Sequence, residues 1–216
     1  MIVLNLKTYD LTIAKPLLFV DVAKEVVDET GLRIVVATPA PYLHQSAERF
    51  SGIFAQHADP EPAGAYTGSI SAEMLKSLNV KGSLINHSEK RVAAKKIKAT
   101  VNSLHMHGLE SLVCAASTKE AVEIAAYTPN YIAVEPPELI GSGVSVSKSK
   151  PEIVINSVKA VKDVNQKIKV LCGAGVSNKE DVKKAMELGS EGVLLASAFV
   201  KAKDPKAFLK ELASVF

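Results

Sequence analysis

The sequence predicts a (β/α)8 barrel. Eight short apolar runs recur along the chain, each followed by a stretch with helical spacing of apolar residues. The 216 residues divide into eight such units of 27. The runs are nearly continuous in apolar character, which marks strands buried on both faces of a parallel sheet. Eight repeats suggest that the sheet closes on itself; an open doubly wound sheet is the alternative that counting leaves. No low-complexity segment or linker divides residues 1–216, which are read as one domain.

The elements follow in order. Ile2–Leu6 is the first strand, and Leu18, Val22 and Val26 keep an i, i+4 step in the helix after it. Pro16 suits the start of that helix, where a missing N–H costs nothing, and Gly31 suits the position after its end. Arg33–Ala37 and Ile53–Gln56 are the second and third strands. Gly82–Ile85 is the fourth, with Ala93, Ile97, Val101 and Leu104 on the helix behind it and Gly108 closing that helix. Ser111–Ala115 and Tyr131–Val134 are the fifth and sixth, and Pro151 opens a helix carrying Val154, Val158 and Val161. Lys167–Leu171 is the seventh, followed by a helix that Ser177 or Asn178 could cap. Gly192–Leu195 is the eighth, and Pro205 starts a last helix with Phe208, Leu212 and Val215 on one face. Two irregular stretches, Ala58–Ser69 and Pro136–Ser149, exceed ordinary connections and are candidates for functional loops.

Composition narrows the function classes. The chain is 47% apolar and 23% charged, ordinary for a globular protein and too apolar for a disordered one. Net charge is +3, but only Arg33, Arg49 and Arg91 are arginine and tryptophan is absent. A nucleic-acid surface usually joins an arginine-bearing face to stacking aromatics, so an anionic small molecule is the better match. Two cysteines, Cys114 and Cys172, without a Cys-x-x-Cys exclude a disulfide scaffold and a cysteine zinc site. No apolar stretch is long enough to span a membrane, and no basic segment precedes Ile2-Val3-Leu4, so a cytoplasmic protein is expected.

Chemistry in a barrel sits at the C-terminal ends of the strands. The first strand ends in Asn5-Leu6-Lys7, and positions 5 and 7 of an extended segment share a face. The fourth ends in Asn86-His87-Ser88-Glu89-Lys90-Arg91. His87 is read at a helix entrance, where the helix dipole would keep the imidazole neutral and able to donate to a carbonyl; the ordinary reading is that Ser88 caps that helix and His87 merely packs. The sixth ends in Val134-Glu135-Pro136-Pro137; burial would raise the Glu135 pKa and make it a better base. Glu138 to Gly143 joins apolar side chains to glycine pivots, as a closing lid does. Small residues in Gly173-Ala174-Gly175 and Ala196-Ser197-Ala198, after strands seven and eight, let backbone N–H groups approach an anion. Each residue also has an ordinary reading: a solvated lysine, a packing histidine, a loop glutamate in water. Cys172 reads as a small filler, His44 and His57 have no acidic partner at useful spacing, and Lys90–Lys98 reads as a solvated helix face. No metal constellation is found.

In this order the motifs resemble those of the triosephosphate isomerase family, in the short form seen in archaea. Asn5-x-Lys7, Gly64 to Ser71, His87-Ser88-Glu89-Lys90-Arg91, and Glu135-Pro136 followed by Ile140-Gly141-Ser142-Gly143 carry the resemblance across the whole chain. It implies an isomerase of triose phosphates without a cofactor, with Glu135 as proton shuttle and a neutral His87 as electrophile, the family's known arrangement. It implies charge from Lys7, a hydrogen bond from Asn5, and phosphate held by backbone amides at Ile140, Gly141, Gly175, Ala196 and Ser197. It also implies a homodimer or homotetramer built through the third loop. The chain departs from the family at Leu6, at the lid hinge Pro137-Glu138-Leu139, at Gly173-Ala174-Gly175 and at Ala196-Ser197. A Schiff-base aldolase through Lys7, a metal-dependent epimerase and a phosphate- or nucleic-acid-binding barrel remain the alternatives.

Overall fold

The computed structural model describes residues 1–136 and 149–216. Eight parallel strands form a closed barrel in chain order: β1 (Ile2–Asn5), β2 (Ile34–Thr38), β3 (Ile53–Ala55), β4 (Gly82–Ile85), β5 (Glu110–Ala115), β6 (Tyr131–Val134), β7 (Lys169–Cys172) and β8 (Val193–Leu195). β1 pairs with both β2 (Ile2↔Ile34) and β8 (Ile2↔Val193), which closes the ring and rules out the open sheet. Every sequence-predicted strand is present, with ends displaced by no more than two residues.

Side-chain alternation sorts the strands into two layers. Val3, Val35, Ala37, Phe54, Leu84, Leu112, Cys114, Ala133, Leu171 and Leu194 pack together inside the barrel. Their neighbours Ile2, Leu4, Ile34, Val36, Ile53, Ile85, Val113, Ile132 and Val170 pack outward against the helices. Both faces of each strand are therefore apolar, the reason the runs read as continuous rather than alternating. Phe54 fills so much of the interior that β4 has glycine beside it: a Cβ on Gly82 would lie 2.7 Å from the Phe54 ring and 2.3 Å from the Glu110 carbonyl oxygen.

The helices follow the sequence punctuation. Between β1 and β2 lie α1 (Asp10–Ala14) and α2 (Pro16–Thr30), the latter ended by Gly31 at φ 69°. The expected α2 stripe is turned: Phe19, Val20, Ala23 and Val26 are buried, while Leu18 faces outward. The i, i+4 pattern there fits two neighbouring faces, and the bulkier Phe19 takes the core. α3 (Leu43–Arg49) and α4 (Ala72–Ser77) follow β2 and β3. α5 (Ala94–Met106) buries Ile97, Val101 and Leu104 as expected. α6 (Thr118–Ala125), α7 (Pro151–Val164), α8 (Lys179–Glu187), the short α9 (Ser197–Val200) and α10 (Pro205–Ala213) are the remaining α-helices among the described residues. Asn178, not Ser177, caps α8 by accepting from the Asp181 amide. Among the described residues no helix is long and apolar enough to cross a membrane.

Candidate active site

The interior face of the barrel runs out into polar residues at the C-terminal rim. On β6 the inward positions continue Tyr131, Ala133, Glu135; on β7 they continue Leu171, Gly173; on β8, Leu194, Ala196. Glu135 therefore reaches the mouth by simple alternation, its amide still donating to the Ala115 carbonyl (2.8 Å). Gly173 leaves room for it: a Cβ there would stand 2.5 Å from Glu135 Cγ.

Asn5 and Lys7 also reach the mouth, but not by sharing a strand face. β1 ends at Asn5, and Lys7 sits in a turn at φ 47°, in the left-handed region where non-glycine residues are strained. Asn5 Oδ1 accepts from the Lys7 amide (3.0 Å), and Gln56 Nε2 donates to the Lys7 carbonyl (3.1 Å) and the Ala37 carbonyl (3.2 Å). Three hydrogen bonds thus impose the strained turn. Lys7 Nζ lies 2.6 Å from Glu89 Oε1.

His87 is buried, yet it is not at a helix entrance. α5 begins seven residues later at Ala94, and the Ser88 hydroxyl is a buried group with no partner among the described residues rather than a cap. The helix-dipole argument for a neutral ring therefore fails. Burial, with Lys7 second, instead lowers the His87 pKa, while Glu89 opposes them. The Glu89 amide donates to His87 Nδ1 (3.2 Å), which requires a lone pair there. In the neutral ring the proton is then on Nε2, which points to Glu135 Oε1 at 3.8 Å. His87 is set to donate a hydrogen bond into the mouth.

Glu135 is 2% exposed, and burial raises its pKa to about 7. The Cys114 thiol, Lys7 and Arg91 favour the carboxylate, and Glu89 disfavours it. Its Oε2 is buried with no hydrogen-bond partner among the described residues. This carboxylate can exist in either state near neutrality, the condition for a general base. Cys114 was not singled out from sequence; its only signal was its inward position on the strand before β6.

A cavity of about 70 Å³ gathers Lys7, His87, Glu135, Gly173, Gly175, Ala196 and Ser197. It adjoins a cleft of about 210 Å³ that shares Lys7 and His87 and adds Asn5, Gln56, His57 and Lys90. All the expected site residues in the described part therefore converge; Ile140, Gly141 and the expected lid lie outside the described residues. Gly175 takes φ 69°, and Ala196 precedes the first turn of α9, whose leading amides have no carbonyl a turn earlier. His57 does have an acidic partner, Asp59 at 3.1 Å, and His44 lies 3.6 Å from Glu48. Lys90 lies in the His87 turn, outside α5, and lines the cleft. Among the described residues no group of three His, Cys, Asp or Glu side chains could hold a metal ion.

Residues 1–214 match the family model described as triosephosphate isomerase. The triosephosphate isomerase of Methanothermus fervidus is 48% identical over 213 residues, covering 98% of this chain and 96% of that protein. That of Methanocaldococcus jannaschii is 47% identical over 214 residues, covering 98% of each chain. The protein of the same name from Archaeoglobus fulgidus is 52% identical over 160 residues, 74% of this chain and 72% of that one.

Proposed function

The chain belongs to the triosephosphate isomerase family and is an isomerase; from that premise we propose that it interconverts dihydroxyacetone phosphate and D-glyceraldehyde 3-phosphate through an enediolate. The Glu135 carboxylate removes the proton from the carbon beside the substrate carbonyl. His87 Nε2–H donates to the carbonyl oxygen as it becomes negative, and Lys7 supplies positive charge across the mouth. Glu135 then returns the proton to the neighbouring carbon, while the hydroxyl proton passes between the two substrate oxygens by way of His87 Nε2, so atoms balance and no electron leaves the substrate. Asn5 holds Lys7 through its amide, and backbone amides at Ile140, Gly141, Gly175, Ala196 and Ser197 take the phosphate. The observation that carries this reading is the pairing of His87 Nε2 with Glu135 Oε1 across 3.8 Å from two different strand ends.

The test is a coupled assay with glyceraldehyde 3-phosphate, with EDTA present and no cofactor added. Rapid turnover, with one solvent deuterium entering the product in D2O, is expected. No turnover by the folded protein would overturn the reading; borohydride trapping of substrate on Lys7 would favour an aldolase instead.

The same reading includes a homo-oligomer. Residues 62–68 of the third loop are exposed in the single chain, yet the loop base is tied: the Asp59 amide donates to Ile70 O (2.8 Å), and the Ile70 amide to Asp59 Oδ2 (3.0 Å). The Ala63 amide donates to Glu73 Oε2 (2.5 Å). An ordered loop presenting Pro62 and Tyr66 outward suits a second copy. Sedimentation velocity should give a dimer or tetramer; a monomer at micromolar concentration would refute it.

A further inference from the structure

Strand alternation alone does not bring His87 into the mouth. On β4 Leu84 packs inside and Ile85 outside, so continued alternation would carry Asn86 inward and His87 toward the helices. The chain changes phase at Asn86, which takes φ 63°. Asparagine tolerates that left-handed conformation better than most residues. Asn86 is 1% exposed, and its side chain is clamped at both ends. Nδ2 donates to the Cys114 carbonyl (3.0 Å) on β5 and to Glu120 Oε1 (3.1 Å) on α6. Oδ1 accepts from the Val92 amide (3.1 Å), on the far side of the His87 turn. Glu120 is itself fixed, its Oε2 accepting from the Ala116 amide (2.7 Å) and its Oε1 paired with Arg91.

We propose that Asn86 is a positioning residue for the reaction: its side-chain clamp holds the left-handed turn that aims His87 Nε2 into the mouth. The proposal rests on the reading of His87 as the hydrogen-bond donor to substrate. Glycine at position 86 would accept the same backbone angle but leave the turn unclamped. The imidazole would then sample directions away from the developing oxyanion. A donor misplaced by about an ångström can cost on the order of 100-fold in rate. The small-residue loops that would hold the phosphate lie on other strands, and the Lys7 backbone is tied to Asn5 and Gln56 rather than to this turn, so the loss should appear in kcat and not in KM.

The experiment uses four full-length proteins: the parent, Asn86→Gly, His87→Gln, and the double variant. Asn86→Gly should lose roughly 10- to 100-fold in kcat with KM within about twofold. The double variant should turn over no more slowly than His87→Gln alone, because the clamp acts only through the ring. If His87→Gln keeps the parent's kcat, the reading of His87 falls and this proposal with it. If His87→Gln is impaired but Asn86→Gly is not, the Asn86 proposal alone is overturned. Equal losses in both backgrounds, or loss of far-UV circular dichroism in Asn86→Gly, would show a general structural anchor and also overturn it. Asn86→Asp still accepts from Val92 but cannot donate; it should show the same kcat loss, and parent kcat in that variant would refute the clamp.

Discussion

His87 Nε2 and Glu135 Oε1 face each other across 3.8 Å, too far for a hydrogen bond and both shielded from water. A donor and a base held apart in this way are each left with an unused valence in the mouth. A substrate carbonyl and its neighbouring carbon can occupy the two.

Removing the Glu135 charge should separate activity from stability. Glu135→Gln is expected to lose activity by several orders of magnitude while still binding a phosphate analogue. The Glu135 pKa is raised from 4.5 to about 7 by burial. Between those values the folded state holds a proton that the unfolded chain releases. Parent stability therefore falls as pH rises from 4.5 to about 7 and is level above. Glu135→Gln should accordingly unfold later than the parent at pH 8, by up to about 3 kcal/mol, with the gap closing near pH 4.5. Denaturant titrations at both pH values check this; a Gln variant less stable at pH 8 would contradict it.

For the rate, kcat/KM in the free enzyme should rise with pH as Glu135 ionises, with a midpoint near 7. His87 should contribute no second limb near neutrality, because burial and Lys7 lower its pKa. Nitrogen-15 NMR of the ring should show a neutral Nε2–H tautomer throughout this range; an imidazolium at pH 7 would contradict the geometry.

Gly173→Ala tests how tightly the base is housed. A Cβ 2.5 Å from Glu135 Cγ must displace the glutamate or the β7 rim. Such overpacking costs about 1–3 kcal/mol, and kcat should fall at least about tenfold. Thermal melts and steady-state kinetics measure both, and a fully active Gly173→Ala would show that Glu135 is free to move aside.

Lys7→Met should raise KM for the dianionic substrate, lower kcat, and weaken the dependence of KM on ionic strength, since the mouth loses a half-buried cation. Parallel salt titrations of parent and variant decide it; an unchanged salt slope would place the steering charge elsewhere.

Much of this was legible in the sequence. All eight strands were visible because both faces of each are apolar, and Glu135 was legible because it simply continues the alternation of β6. What periodicity could not supply were the changes of phase. Lys7 and Asn86 both take left-handed backbone angles, set by hydrogen bonds with distant residues: Gln56 donating to one, Glu120 and Cys114 accepting from the other. The neutral state of His87 was expected, but from a helix that begins seven residues too late. Burial, a property of the whole barrel, supplies the cause. The outward turn of Leu18 has the same origin, since two helix faces were apolar enough and only packing chose between them.

Closure of the ring has a consequence for refolding. The paired groups come from residues as far apart as Lys7 and Ser197, and no contiguous half of the chain contains them all. The joint between β7 and β8 pairs Cys172 with Val193 and is held by the Cys172 amide donating to the Gly192 carbonyl (3.1 Å) and the Glu191 amide to the Val170 carbonyl (2.8 Å), and the two small-residue loops lie on either side of it. Helical signal and collapsed cores can return while that joint is still open. Regain of turnover should therefore lag behind regain of helicity, because the site is complete only when the ring is closed.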